Sequence, residues 1–415
     1  MISSELKKQF EKIIEINNIN WSTIESVCKS DANILRPIKG IGFEEYFKKI
    51  VSYYSKDSKI VDGEGDSDID LFVNGHSLQL KTNDKGSTKK GEYVGVALHK
   101  THGNETRPHN LYSRINPTFD FLVLKNPESG VYIIPHNEIP EHNSWRSYLA
   151  DPAKIEWQSK WLNRWGLIGL NDFDGINLNV EINYSHSDLP FLSSQTNLED
   201  FEIIQMLIKP EYFRAAVMGL KGNLKEFWFK KKLSELGYEI KDPDESYPKY
   251  DCIVMNKSKS IKVQIKGTSK NMCDFNKRKI GVEVMGTHGQ FPKRGYNKKM
   301  FDYLSIILSE EQINTGCLKS KGLQFVIIPM KDLPLHYRIG NGEMFQNPKW
   351  DMEEFSDVVY PNIKFKFTEK NNQILIYPDL ESYKKFKGLE TIPLDSSFRF
   401  SGPYCLNEIP EEFNN

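Results

Sequence analysis

The sequence has few cysteines, almost no net charge and no long apolar segment. Its five cysteines, among 415 residues, form no CxxC or Cys/His ligand spacing, which argues against a disulfide framework or a zinc site. We find no apolar run of about 18 residues and no charged-then-apolar leader, so we expect neither a membrane span nor a secretory signal. With 39% hydrophobic and 27% charged residues, the chain is typical of a cytoplasmic globular protein of two or three domains.

The net charge of −1 conceals two basic tracts. Residues 257–299 carry twelve lysines and arginines against two acids, and residues 81–114 carry seven against three. Such tracts are commonly solvated faces. They are also how proteins hold a phosphate backbone when aromatic residues are interleaved, so the tracts alone fit either role.

The chain contains two copies of one segment. Four blocks recur in the same order at offsets of 182 to 194 residues, and the first pair has seven identities in fourteen positions. The pairs are KGIGFEEYFKKIVS (39–52) with KGNLKEFWFKKKLS (221–234), VGVALHKTHG (94–103) with IGVEVMGTHG (280–289), FDFLVLK (119–125) with FDYLSIILS (301–309), and VYIIPHNEIPEH (131–142) with FVIIPMKDLPLH (325–336). This pattern indicates a tandem duplication.

Both copies predict the same order of elements, a helix followed by several strands. The helices carry apolar stripes at matching positions, which are Phe47, Val51 and Tyr54 in the first copy and Phe229, Leu233 and Leu236 in the second. The strands begin at an acid, continue through a Gln-x-Lys strand, and close at Thr-His-Gly and Ile-Ile-Pro. We therefore predict an α/β (α+β) fold in which each copy has a mixed central sheet flanked by helices.

The Gln-x-Lys strand places polar and apolar side chains on opposite faces. In SLQLKT (77–82), leucines alternate with Gln79 and Lys81, and IKVQIK (261–266) repeats the pattern with Gln264 and Lys266. Either strand alone fits an edge strand with a solvated polar face. Its recurrence beside the same neighbours favours a site.

Four polar residues recur in order in each copy: two acids, an amide and a lysine. They are Glu44, Asp70, Gln79 and Lys81 in the first copy and Glu226, Asp251, Gln264 and Lys266 in the second. Because Glu44 precedes Phe47 by three residues, it shares the inward stripe of its helix and needs a metal ion or a lysine as partner. Glu45 and Asp68 are the alternatives to Glu44 and Asp70.

Carboxylates with a neutral oxygen are the ligands that Mg²⁺ prefers, and a nearby ammonium can orient a nucleophile on a phosphate. An acid opening one strand, a (D/E/Q)-x-Lys on the next and a helix glutamate upstream resemble the PD-(D/E)XK nuclease superfamily, in its QxK variant. Most type II restriction endonucleases belong to this superfamily.

The resemblance covers residues 39–142 and 221–336, the cores of two predicted domains at 1–200 and 201–415. It implies Mg²⁺-dependent DNA hydrolysis, with a catalytic lysine in each copy. The metal ligands it implies are Glu44, Asp70 and Gln79 in the first copy and Glu226, Asp251 and Gln264 in the second. Ile69 and Tyr250 stand where relatives have proline, and glutamine replaces the usual second acid, which makes the helix glutamate its natural substitute.

These patterns predict a type II restriction enzyme that acts as a monomeric internal pseudo-dimer on double-stranded DNA, with one site for each strand. A cognate DNA methyltransferase is then expected in the same host. The predicted DNA contacts are Arg107, Arg114, Lys293 and Arg294, while His102 and His288 either contact DNA or fix a strand end. Three alternatives stay open: one copy serves only for recognition, the chain binds or repairs DNA without cutting it, or it is a duplicated protein with no nucleic-acid role.

Overall fold

The computed structural model forms two compact units. Unit 1 comprises Met1–Ile14 and Ile19–Leu220, and unit 2 comprises Glu15–Asn18 and Lys221–Asn415. The predicted domains, 1–200 and 201–415, and their pseudo-dimeric arrangement stay predictions. The structure describes residues 2–63, 69–82, 84–88, 91–97, 117–125, 130–139, 148–150, 160–170, 186–210, 212, 216–243, 250–256, 259–268, 273–274, 279–286, 294–296, 299–308, 322–336, 358–359, 362–371, 373–379 and 402–413.

Unit 1 surrounds a five-stranded sheet with helices. Its helices are α1 (Ser4–Ile14), α2 (Trp21–Ser30), α3 (Ala32–Tyr54), α4 (Pro190–Thr196) and α5 (Asp200–Ile208). Its strands are β1 (Ile60–Asp62), β2 (Leu71–Val73), β3 (His76–Lys81), β4 (Asp84–Thr88), β5 (Gly91–Ala97), β6 (Phe121–Lys125), β7 (Val131–Pro135) and β8 (Tyr148–Ala150). The main sheet has the order β1-β2-β3-β6-β7, and β4, β5 and β8 form a separate three-stranded sheet.

Unit 2 contains about four turns of α6 (Met218–Glu235), from Lys221 onward, and the remaining strands that the structure describes. These are β9 (Glu239–Lys241), β10 (Cys252–Asn256), β11 (Lys259–Gly267), β12 (Cys273–Asp274), β13 (Lys279–Glu283), β14 (Met285–Gly286), β15 (Arg294–Gly295), β16 (Tyr303–Leu308), β17 (Gln324–Pro329), β18 (Leu335–His336), β19 (Val358–Val359), β20 (Asn362–Lys370), β21 (Gln373–Pro378) and β22 (Tyr404–Cys405). The main sheet has the order β9-β10-β11-β16-β17, and a second sheet has the order β12-β13-β20-β21-β22.

The two main sheets have the same topology. In each, the Gln-x-Lys strand lies at the centre, antiparallel to the acid-led strand on one side and parallel to the Phe-Asp strand on the other. Gln79 pairs with Leu122 across the parallel ladder of unit 1, and Gln264 pairs with Leu304 at the matching position of unit 2. The predicted α/β fold, with mixed sheets and flanking helices, is therefore confirmed.

Helix α3 carries Glu44, the first predicted acid, and packs closely against other parts of unit 1. Asp31 caps its first turn by accepting a hydrogen bond from the Asn33 amide at 2.7 Å. Phe47 is fully buried and stacks on Trp165 with ring centroids 5.7 Å apart. At Gly42, a Cβ would lie 2.5 Å from Thr196 Cγ2 of α4, so only glycine permits this close approach.

The predicted apolar stripes are correct except at their last members. Phe47 and Val51 in α3 are fully buried, and their counterparts Phe229 and Leu233 in α6 are too. Tyr54 is 38% exposed and Leu236 is 51% exposed, because Tyr54 is the last residue of α3 and Leu236 follows the end of α6. After α6, the chain changes direction at Gly237, which has a φ of +93°.

Unit 2 has a hydrophobic core on each face of its main sheet. On one face, Phe229 and Leu233 of α6 pack against Val263 and Ile265 of β11. On the other, residues of β16 and β17 pack against the second sheet, including Phe365 of β20. In the part of the chain that the structure describes, no helix is long and apolar enough to cross a membrane.

Candidate active site

An acid and an amide meet at the same place on each main sheet. In unit 1, Gln79 Nε2 and the Leu80 backbone amide both donate to Asp70 Oδ2, the second over 2.6 Å. In unit 2, Gln264 Nε2 and the Ile265 amide donate to Asp251 Oδ2 in the same way, again 2.6 Å for the backbone bond. The register explains this repetition, because each acid immediately precedes a strand that is antiparallel to the Gln-x-Lys strand.

The helix glutamates complete these clusters, which we call site 1 and site 2. Site 1 consists of Glu44, Asp70, Gln79 and Lys81, and site 2 of Glu226, Asp251, Gln264 and Lys266. Burial and the negative charge of Asp70 raise the pKa of Glu44 to about 8. Burial and the negative charge of Glu226 raise the pKa of Asp251 to about 7. In each site the two carboxylates are therefore near enough for their negative charges to repel.

A lysine faces each carboxylate pair from the end of the central strand. The charges of Lys48 and then Lys81 oppose the rise in the pKa of Glu44, and the charges of Lys266 and then Lys230 oppose the rise in the pKa of Asp251. Lys266 Nζ also lies 5.6 Å from the ring centroid of Tyr296. The structure thus brings all eight residues predicted from the repeat into two like clusters.

The donor atoms of each site fit a divalent cation of the Mg²⁺ type. A carboxylate can only accept a hydrogen bond, so the glutamine nitrogen, not its oxygen, must face the aspartate in each site. The amide oxygen of each glutamine therefore remains as its possible metal ligand. Two partly buried carboxylates and an amide oxygen form an all-oxygen set, and a doubly charged cation would offset the repulsion between the acids. Across the described segments no three His, Cys, Asp or Glu side chains form a metal-binding group.

A second lysine at each site was missed by the sequence analysis. Lys48 of α3 forms ion pairs with Asp62 at the end of β1 and, at 2.9 Å, with Glu45. Lys230 of α6 pairs with Asp242 just after β9 at 2.8 Å and with Glu226 at 2.5 Å. The two lysines occupy equivalent positions and are identical in the first repeated block, so the repeat alone contained the information that could have identified them.

Site 1 has a further partner, Tyr212, which no sequence pattern indicated. Its hydroxyl donates to Glu45 Oε1 at 3.1 Å and to Glu44 Oε2 at 3.4 Å. Burial and the charges of these two glutamates raise the pKa of Tyr212, which keeps the hydroxyl protonated as a donor. Glu45, the alternative to Glu44 in the sequence analysis, also binds Lys209 Nζ at 2.8 Å.

The predicted DNA contacts lie mainly outside the described residues. This holds for His102, Arg107, Arg114, His288 and Lys293, and also for Asp68, the alternative to Asp70. Arg294 lies on β15, of which only the backbone is described. Their roles stay predictions.

Comparisons with known proteins give limited information. No protein-family model matches the sequence, and no curated protein matches it. Among solved structures, a bacterial homing endonuclease, I-Ssp6803I, is weakly similar over 31% of this chain and 83% of its own, with 15% sequence identity and a TM-score of 0.21.

Proposed function

We propose that the chain is a Mg²⁺-dependent, sequence-specific DNA endonuclease with two active sites, one in each unit. One observation carries this proposal: the same cluster of two acids, an amide and a lysine is built twice, on the same strands of the same sheet topology. A solvated polar face would not hold two acids near each other, because partly buried carboxylates repel unless a cation lies between them. A cation site explains why both copies maintain that arrangement.

The residues of each site suit phosphodiester hydrolysis, which adds water across a P–O bond, with oxygen going to phosphorus and a proton to the departing sugar oxygen. Glu44, Asp70 and the Gln79 amide oxygen would hold Mg²⁺, which when bound stabilises charge on the phosphate and lowers the pKa of water. Gln79 and the Leu80 amide hold Asp70 in position. Lys81 supplies an ammonium that orients the nucleophile and offsets charge on the phosphate oxygens.

Two sites in one chain suit the cutting of both strands of a duplex. We infer that the chain acts as a monomer of the restriction-enzyme type on double-stranded DNA, for which a cognate methyltransferase in the host would provide protection. The basic tracts at residues 81–114 and 257–299, with balances of seven to three and twelve to two, support a polyanionic substrate. They differ in sequence between the copies, so the two half-sites need not be identical.

Plasmid cleavage tests this function. Incubation of supercoiled plasmid with Mg²⁺ should give linear DNA, and EDTA should prevent this. Lys81→Ala and Lys266→Ala should each leave a nicking enzyme, while the double variant should cut neither strand. Lys232→Ala, which removes an exposed lysine of α6 outside site 2, should cut like the unaltered chain.

The outcomes separate the alternatives. If one single variant abolishes all cutting while the other has no effect, only one copy is catalytic and the other serves for recognition. Salt-dependent DNA binding without cleavage would replace the enzyme with a binding or repair module. Absence of both binding and cleavage would refute a nucleic-acid role.

A further inference from the structure

The two sites differ at one residue beside the helix glutamate. In the repeated block, Glu45 of α3 occupies the position of Phe227 in α6. Glu45 follows Glu44 and lies three residues before Lys48, so it can compete with Glu44 for that lysine. Phe227 has no charge and is 39% exposed, so it offers Lys230 no alternative to Glu226.

The ion pairs follow this difference. Each lysine is anchored on one side by an aspartate at the end of the edge strand, Asp62 for Lys48 and Asp242 for Lys230. On the other side, Lys48 binds Glu45 at 2.9 Å, whereas Lys230 binds Glu226 at 2.5 Å. The equivalent lysine therefore pairs with the neighbour of the ligand in site 1 and with the ligand itself in site 2.

Glu45 is held in this role by two further groups of unit 1. Lys209 Nζ lies 2.8 Å from Glu45 Oε2, and the Tyr212 hydroxyl lies 3.1 Å from Glu45 Oε1. With Lys48 Nζ 2.9 Å from Oε1, each carboxylate oxygen of Glu45 therefore contacts a different ammonium group. Tyr212 also reaches Glu44 with a neutral hydroxyl, which a cation displaces more easily than an ammonium.

We propose that Glu45 and Tyr212 are positioning residues that hold Lys48 in an ion pair with Glu45 rather than with Glu44, so that site 1 binds a divalent cation more tightly than site 2. At site 2 the incoming cation must displace Lys230 from Glu226. The difference should be up to about fivefold, which corresponds to about 1 kcal/mol, the upper end of the usual range for a partly exposed ion pair. As a consequence that rests on the proposed endonuclease function, limiting metal should leave the strand at site 1 cut and the other intact.

Calorimetric titration with Ca²⁺ in the absence of DNA tests the proposal directly. Asp251→Asn leaves site 1 as the intact site, and Asp70→Asn leaves site 2. With both chains at the same pH, site 1 should bind Ca²⁺ up to about fivefold more tightly. Equal affinities, or tighter binding at site 2, would overturn the proposal.

A second experiment exchanges Glu45 and Phe227 between the two sites. Glu45→Phe in the Asp251→Asn chain should lower the affinity to that of site 2, and Phe227→Glu in the Asp70→Asn chain should raise it. Glu45→Gln covers the case in which phenylalanine does not fold there, since it removes the charge and keeps the shape. Glu138→Phe, which removes the ion pair with Lys160 outside site 1, is the matched control and should leave the affinity unchanged.

The Ca²⁺ titrations test this inference separately from the proposed nuclease activity. Unequal Ca²⁺ affinities that exchange as expected, in a chain that does not cut DNA, would retain this inference and refute the nuclease. Cleavage with equal affinities would do the reverse. Absence of Ca²⁺ binding at both sites would overturn the inference together with the metal-dependent mechanism.

Discussion

The partial burial of Glu44 and its repulsion by Asp70 should make the stability of the metal-free protein depend on pH. The perturbation is Glu44→Gln, which removes one charge and keeps the size of the side chain. The ordinary pKa of 4.5 rises to about 8 in the folded chain, through burial and then through Asp70. An acid with a raised folded pKa contributes stability that is complete below about 4.5 and is lost as the pH rises through about 8.

The size of the effect follows from that shift. The difference, about 8 minus 4.5, is about 3.5 pH units, and at about 1.36 kcal/mol per unit the upper limit is about 5 kcal/mol. Because Asp70 shares the proton and the surroundings relax, we expect Glu44→Gln to gain about 1–3 kcal/mol relative to the unaltered chain as the pH rises across this window. Added Ca²⁺ should stabilise the unaltered chain more than the variant.

Urea denaturation over this pH range measures the change, and hydrogen exchange of α3 peptides assigns it to unit 1, since two units need not unfold together. Glu45→Gln is the control at the adjacent residue, and its effect on stability should change with pH in the opposite direction. The pKa of Glu45 is lowered, so its contribution is present above its ordinary pKa and is lost as the pH falls. A difference between Glu44→Gln and the unaltered chain that does not change with pH would refute the repulsion that both proposed sites depend on.

Two other variants test how the sites are built. Gln79→Glu should destabilise the metal-free chain by about 1–3 kcal/mol and tighten Ca²⁺ binding, because it replaces the donor to Asp70 with a third negative charge. Denaturation with and without Ca²⁺ measures both effects. An unchanged stability of the metal-free chain would contradict a stabilising hydrogen bond from Gln79 to Asp70. Trp165→Ala should cost about 3–5 kcal/mol and increase hydrogen exchange in α3, because the buried indole stacks on Phe47. Trp228→Ala, in unit 2, should leave exchange in α3 unchanged.

The sheet and the clusters were predictable because both depend on local periodicity repeated twice. Alternation in the Gln-x-Lys strand fixed which side chains share a face, and the acid opening the preceding strand then had to lie beside the glutamine in an antiparallel pair. A single copy would have left an edge strand as an equal alternative. The second sheet of unit 2 was not predicted, because β20 pairs with β13 across about 80 residues of chain and β21 joins the sheet only through β20.

The long-range partners were not predictable for a related reason. Asp120 accepts hydrogen bonds from the backbone amide and hydroxyl of Ser77, both at 2.8 Å, and Asp302 caps the Lys262 amide at 2.8 Å in unit 2. The repeated Phe-Asp was seen, but its role in fixing the start of the central strand depends on the parallel pairing. Tyr212 and Lys209 lie more than 160 residues from Glu45, and no periodicity connects them.

In the proposed endonuclease, the sequence divergence between the two copies can determine which site cuts its strand first. Each site retains the same acid, amide and lysine, so the cation ligands themselves give no reason for one strand to be cut first. The difference lies one residue away, where Glu45 binds the lysine in unit 1 and Phe227 leaves the equivalent lysine on Glu226. Because a cation and an ammonium compete for the same carboxylate, this single change alters metal binding without altering a ligand. An exchange of the two residues should therefore exchange the order of cutting, and an order that survives the exchange would place its cause elsewhere in the units.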